Sequence, residues 1–425
     1  MMRWLVLAMI FALSVLNYAD KSVLGLAAEP IMSHLHLNYD QFGLAGSSFF
    51  ASYAIGSIIL GTLTYRFHTK NLLILIASGW TVSLLSAYFV ESFIGLIIIR
   101  VILGFFEGGT YGLCVAHIAK WFSNETRGSA YAIMTSGTTF GTYLAAPILV
   151  LLIGSVGWQH TFAVLGLVSL VWAVVFCFFK SQPNEPIQET IATLPSTQEA
   201  QFKDIIKILL NPYVLSVMAI GFVSMWINTW VLTWAPTYLT KIVGLDVQVM
   251  SIVFAGMGIA GTIFAIFIGR YTDVLFQKNK SLIKSYDKVL TVVLIIGAIA
   301  YGITTVVEAP ILSVTFLAVG LIMNTCLLPL GTTIKTLIVP KNLIGSISGI
   351  SLSITSMAGI IGPYITGYLI TLAGDDIRSG FNSGVLIVVA LYIISAVIIL
   401  LTRKRKTTFT KNEKTITPVL VESVK

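Results

Sequence analysis

The chain has 425 residues, of which 56% are hydrophobic and only 10% charged, with a mean hydropathy of +0.91 and a net charge of +8. A soluble domain carries roughly a quarter of its residues as charges, and a water-facing surface needs about 25–35% Asp, Glu, Lys and Arg. A soluble globular protein, a disordered chain and a nucleic-acid-binding module are excluded, which leaves a protein solvated mostly by lipid.

About 20 apolar residues cross a bilayer as a helix, and twelve such runs follow one another along the chain. The first, near 4–26, follows Arg3 and has a signal-like Leu26-Ala27-Ala28 at its end. It is longer than an ordinary signal core and carries Asp20 and Lys21, so it is expected to be retained. The others lie near 41–64, 71–90, 94–117, 128–153, 159–180, 212–239, 248–270, 288–307, 310–334, 344–372 and 381–402. His34 and His36 fall in the first connection and are expected to be solvated. Cys114, Cys177 and Cys326 sit in apolar runs without pair spacing, so neither a disulfide nor a metal site is predicted. Trp226, Trp230 and Trp234 recur at i, i+4 and i+8, one face of the seventh run, and read mainly as packing and belt residues. No nucleotide-binding glycine loop and no Ser/His/Asp pattern is visible, so no cofactor, no ATP drive and no enzyme activity is expected.

Orientation follows the Lys/Arg bias. The amino terminus, the alternate loops beginning with Arg66 and Lys70, and the tail hold 22 of the 26 basic residues. That set includes Lys335 and Lys341. The opposite loops hold two, Lys241 and Arg378, and Lys21 and Arg100 lie inside runs. Both termini are therefore expected in the cytoplasm, with the excess charge facing anionic headgroups rather than nucleic acid.

The polar, proline-bearing stretch 181–211 divides the chain into six runs and six runs. The halves are weakly alike. Gly61-Thr-Leu-Thr-Tyr65-Arg66 corresponds to Gly269-Arg-Tyr-Thr-Asp273, and Arg127-Gly128-Ser129 to Ile344-Gly345-Ser346. The expected organisation is a six-helix half over 1–180, a cytoplasmic linker over 181–211, a second six-helix half over 212–402 and a basic cytoplasmic tail over 403–425. Two halves related along the membrane normal is a transporter arrangement.

An ionisable group at membrane depth costs about 3 kcal/mol or more, so it marks a candidate site. Four stand out: Asp20, Lys21, Arg100 and Glu107. Arg100 and Glu107 are seven residues apart, within about 20° of one helix face. Two readings stand at this point. One is a structural pair in which Asp20 or Glu107 neutralises Arg100. The other is a coupled site: two cations and two acids sum to zero, and protonating the acids leaves a positive site that attracts an anion.

These motifs carry a resemblance over the whole chain. Asn17-Tyr18-Ala19-Asp20-Lys21, Arg100 through Glu107-Gly108-Gly109, Trp121-Phe122 with Glu125-Thr126-Arg127-Gly128, Trp234-Ala-Pro236-Thr237-Tyr238-Leu239, and Gly359-Ile-Ile-Gly362-Pro363 resemble the anion:cation symporters of the major facilitator superfamily. The resemblance implies an all-α membrane protein of twelve transmembrane helices with the major facilitator fold. It further implies import of a small organic anion, a sugar acid or related carboxylate, by proton symport across the plasma (cell inner) membrane, by an expected monomer. Within it, Asp20 and Glu107 match the proton-coupling acids, and Arg100 and Lys21 the carboxylate-binding cations. Tyr18 flanks the pair, and Tyr53 matches a substrate-contacting position. Asn228, Asn324, Ser353 and Ser356 lie near mid-depth as further substrate contacts or as interhelical hydrogen-bonding groups.

Two departures stand out. Lys21 replaces the family's arginine, so either Arg100 orients the anion alone or Lys21 has a coupling role. In the loop motif, Tyr65 replaces an acid expected to pair across the halves, whereas the second copy keeps Asp273. The rival functions are exchange of organic anions or organophosphates, in which the acids are dispensable, and a transporter-like sensor or membrane enzyme.

Overall fold

A chain in lipid must satisfy its own backbone polar groups, and a helix does so within a single segment. The computed structural model, which describes residues 2–180, 205–339, 343–402, 407–412 and 415–420, is accordingly nearly all helix. In chain order the helices are α1 Met2–Leu26, α2 Ala28–Leu35, α3 Tyr39–Thr62, α4 Thr69–Ser86, α5 Phe93–Gly108, α6 Thr110–Trp121, α7 Asn124–Thr139, α8 Ala146–Val156 and α9 Trp158–Cys177. They continue with α10 Pro212–Thr233, α11 Val247–Asn279, α12 Lys288–Thr304, α13 Pro310–Ile338, α14 Ile344–Leu372 and α15 Ile377–Thr402. The exception is a hairpin in the tail, β1 Thr407–Asn412 antiparallel to β2 Thr415–Leu420. Most of the expected linker, part of the tail, Lys341, and the side chains of Tyr65, Glu125 and Ser346 lie outside the described residues.

Among the described residues, eleven helices are long and apolar enough to cross a membrane, and twelve if one bent pair counts as a single span. That pair, Thr126–Leu144 with Ala146–Val156, turns by 45°. The bend has a local cause. The Ala145 N–H reaches five residues back to the Phe140 carbonyl (2.8 Å), opening a π turn, and Pro147 follows with no N–H to donate. Polarity is inverted relative to a soluble protein. Ile58, Phe89, Val171, Phe178, Ile311 and Leu401 are exposed, while Asn17, Asp20, Lys21, Arg100, Glu107 and Asn324 are buried.

The chain resolves into two compact units. The first comprises 1–190, 229–259 and 359–381. Within it α3 and α5 pack backbone to backbone. A Cβ on Gly104 would lie 2.2 Å from the Phe49 carbonyl oxygen, and one on Gly108 would lie 2.2 Å from that of Tyr53. Small residues four apart allow this approach, and it sets Phe49 and Tyr53 against the face of α5 that carries Arg100 and Glu107. Gly104→Leu is expected to cost about 1–3 kcal/mol or more by overpacking. Thermal unfolding of purified protein in detergent measures it, and an unchanged midpoint would contradict this packing.

The same unit holds a second set of close approaches. A Cβ on Gly25 would lie 2.2 Å from Leu232 O, one on Gly43 2.5 Å from Pro363 O, and one on Gly367 2.3 Å from Tyr39 O. Around them Trp234 Nε1 donates to Pro363 O (3.0 Å), Thr371 Oγ1 donates to Asp40 (3.1 Å), and Lys241 pairs with Glu29. Arg378, the other basic residue of the sparse loop set, donates to Ile242 O (3.0 Å).

The second unit comprises 191–228, 260–358 and 382–425. Its helices α12 and α13 pack closely, with Gly320 seating the ring of Tyr301. Tyr213 donates to Asp287 (2.6 Å). Asp273 accepts from Tyr286 (2.5 Å) within the unit.

Several expectations are corrected or refined. The first connection contains α2; His34 and His36 are exposed as expected, with His34 Nε2 3.3 Å from the exposed Glu91. The fourth span runs as one membrane-crossing segment, Phe93–Trp121, with a turn at Gly109 between α5 and α6. Lys335 belongs to the last turn of α13, where it donates to Ser351 (3.1 Å), not to a connecting loop. Helix α10 ends at Thr233, but the Trp234 N–H still donates to the Trp230 carbonyl (2.7 Å), and Trp226, Trp230 and Trp234 are all buried.

Candidate functional site

The apolar length of α1 carries Asn17, Tyr18, Asp20 and Lys21 toward its far end, where Asn17, Asp20 and Lys21 are buried. The nearer hydroxyls are satisfied along the helix: Ser14 donates to Ile10 O (3.1 Å) and Ser22 to Tyr18 O (2.9 Å). The charged groups must instead find partners on other helices. Asp20, Lys21, Arg100 and Glu107 are 1%, 4%, 2% and 0% exposed.

Lys21 turns to Glu107. Its ammonium donates to Glu107 Oε2, to Asn17 Oδ1 (2.7 Å) and to the Asn17 carbonyl oxygen (2.8 Å). Asn17 completes a triangle by donating from Nδ2 to the same Glu107 oxygen (2.9 Å). Three aromatic faces enclose the ammonium, with ring centroids at 4.7 Å for Tyr18, 5.4 Å for Phe49 and 5.6 Å for Tyr53.

Arg100 is held differently. Its guanidinium lies over the ring of Phe49, 4.3 Å from the centroid. Its Nε and Nη1 have no hydrogen-bond partner among the described residues. Neither oxygen of Asp20 has a partner in good hydrogen-bond geometry there, although Glu107, Lys21 and Arg100 all act on it electrostatically. The second oxygen of Glu107 likewise has no partner in that geometry, although the Asp20 and Glu107 carboxyls interact directly with each other. The simple structural pair, in which an acid neutralises Arg100, is therefore not what forms; the ion pair is Lys21–Glu107. A buried cation with unused donors can grip a carboxylate, and a buried acid salt-bridged to a lysine can exchange that partner for a proton.

Six of the ten sequence-predicted residues come together here: Tyr18, Asp20, Lys21, Tyr53, Arg100 and Glu107. The other four lie in the second unit. Asn324 Nδ2 approaches Asn228 Oδ1 (3.5 Å), and its own Oδ1 accepts from Tyr392 (3.3 Å). Ser353 and Ser356 donate to backbone carbonyls of their own helix, Gly349 at 3.1 Å and Leu352 at 2.8 Å. Phe49, the platform for Arg100, was missed by the sequence reading. Its spacing of four from Tyr53, one face of α3, was the available signal. A separate cavity of about 350 Å³ is bordered by Gly25, Glu29, Thr237, Thr240 and Gln248, and none of the four buried ions lines it.

Comparison with known proteins adds the following. The sequence profile described as Major Facilitator Superfamily matches residues 10–286. The hexuronate transporter of Bacillus subtilis (strain 168) is 28% identical over 372 residues, covering 87% of this chain and 88% of that protein. The probable galactarate/D-glucarate transporter of Escherichia coli (strain K12) is 24% identical over 401 residues, with 87% and 88% covered. A solved structure, a bacterial homolog to the human lysosomal transporter Spinster in an inward-facing and occupied conformation, superposes with a TM-score of 0.79 at 17% identity, covering 96% of this chain and 97% of that one.

Proposed function

The chain belongs to the Major Facilitator Superfamily, and from that footing we propose that it imports a small organic anion, a sugar acid or related carboxylate, in symport with protons. It is a multi-pass membrane transporter and not an enzyme. In this reading the two six-helix halves, 1–180 and 212–402, alternate about the ion cluster. The bias of 22 basic residues against two sets both termini in the cytoplasm, and the membrane is the plasma membrane of a bacterium-like cell.

One observation carries the proposal. Arg100 is buried with unused donors, in the field of two interacting carboxyls, Asp20 and Glu107, the second salt-bridged to Lys21. With both acids ionised the four groups sum to zero. A proton on either acid leaves the site at +1, which one carboxylate restores to zero. Anion and proton thus favour each other's binding, a coupling free energy between two ligands. The names of the sugar-acid relatives support the substrate class.

The test is uptake by purified protein in liposomes. An inwardly directed proton gradient is expected to drive accumulation of a sugar acid, and a protonophore to abolish it. Uptake that ignores the proton gradient but requires anion on the opposite side would instead establish exchange.

A further inference from the structure

We infer that the cavity beside Glu29 is a binding site for a bilayer phospholipid whose headgroup joins a primary ammonium to a phosphate. The site is separate from substrate transport, since none of the four buried ions lines the cavity.

The cavity stands at headgroup depth. Helix α1 has 25 residues, about 37 Å of rise, which exceeds the roughly 30 Å of hydrocarbon in a bilayer. Its last turn supplies Gly25 and Leu26 to the wall, and α2 supplies Glu29. The end of α8, at Gly154, and the start of α11, at Val247 and Gln248, border the same space. All of these residues belong to the first unit. Beside the cavity, Leu151 of α8 and Ile252 of α11 are exposed, as side chains facing acyl chains are. Three spans thus end or begin around a space next to hydrocarbon, and the bilayer is the source at hand to fill it.

The polar groups here have capacity to spare. Glu29 pairs with Lys241 through Oε1, and its Oε2 accepts nothing among the described residues. Lys241 spends one of its three donors on that pair. Thr237 borders the cavity and is only 4% exposed, yet its hydroxyl has no partner among the described residues. The side-chain amide of Gln248 has none there either.

A free carboxylate oxygen and a hydroxyl oxygen accept from a primary ammonium, while the spare donors of Lys241 and the Gln248 amide serve a phosphate. The headgroup dipole then lies head to tail against the Glu29–Lys241 pair, and the total charge stays zero. A quaternary ammonium has no N–H to give Glu29 or Thr237. A glycerol headgroup, or a free anionic solute, brings a negative charge toward Glu29 with no cation to offset it. Val150, Ile153 and Met250 form apolar wall, which suits the glycerol backbone and the first methylenes.

The experiment is native mass spectrometry of the purified full-length protein released from nanodiscs. These hold equal parts of phosphatidylethanolamine, phosphatidylcholine and phosphatidylglycerol with identical acyl chains. Wild type is expected to retain phosphatidylethanolamine about threefold to fivefold over either other lipid, the scale of a partly exposed ion pair. Glu29→Gln is expected to bring both ratios to about one by removing the charge that the ammonium meets. Gly154→Trp is expected to lower phosphatidylethanolamine retention by the same factor. A Cβ at Gly154 meets nothing within 4 Å, so the new side chain can cover the cavity without a clash. Equal retention of the three lipids by wild type, preference for either of the other two, or no retained lipid would overturn the inference. So would an unmoved preference in folded Glu29→Gln or unmoved retention in folded Gly154→Trp. Should Glu29→Gln fail to fold, Gly154→Trp decides. None of these outcomes bears on the transport reading.

Discussion

Glu107→Gln is expected to abolish accumulation of substrate against a gradient while leaving counterflow measurable. The substitution keeps the shape and the oxygen that accepts from Lys21 and Asn17, so the triangle persists. What it removes is the ability to alternate between charged and neutral forms. With one proton carried per monoanion, transport is electroneutral, and each pH unit of gradient supports about tenfold accumulation, since one unit is worth about 1.4 kcal/mol. In the variant the ratio falls to about one, because loading with anion no longer requires a proton at that position. Counterflow needs only binding and the conformational cycle, and both survive. Liposomes with an imposed pH gradient, scored in parallel for uptake and for counterflow, measure the two quantities. Undiminished pH-driven accumulation would remove Glu107 from the coupling step.

Arg100→Lys is expected to weaken substrate binding by about tenfold to a hundredfold, the range for losing a hydrogen bond to a charged group. The charge is conserved, so a purely electrostatic role would show little change. What is lost is the planar fork and its stacking over Phe49. A lysine at this position also reaches less far along the helix face toward Asp20 and Glu107. The apparent affinity in counterflow reads the effect, and the thermal unfolding midpoint separates it from misfolding. Unchanged affinity would mean that the anion is held elsewhere.

Much of this was legible in one dimension, for physical reasons. Lipid demands long uninterrupted apolar runs, so most spans could be bounded to within a few residues, but the eighth, α11, runs on through Arg270 and Lys278 to Asn279, well past its apolar run, and the bend in the fifth was not expected. The four buried ions stood out because charge is so scarce in such runs. Their pairing did not. Whether Lys21 meets Glu107 or lies level with Arg100 depends on how α1 and α5 are rotated about their own axes, and no periodicity within either helix reports that. Helix α2 was hidden because eight residues without a long apolar face read as a loop. The glycines Gly104 and Gly108 were visible as residues, but what they place together, Phe49 under Arg100 and Tyr53 beside Lys21, belongs to packing between helices.

At Gly25, Gly43 and Gly367 the facing chains meet with no side chain in between. Layers of flexible side chains can yield by degrees, each rotamer absorbing a little of the movement. Bare peptide planes in contact have no such cushion. A surface built this way separates cleanly or not at all, and partial gaps that would let a small ion slip past have little to hold them open. For a protein of this kind, any side chain added at one of these three positions would hold the facing chains apart.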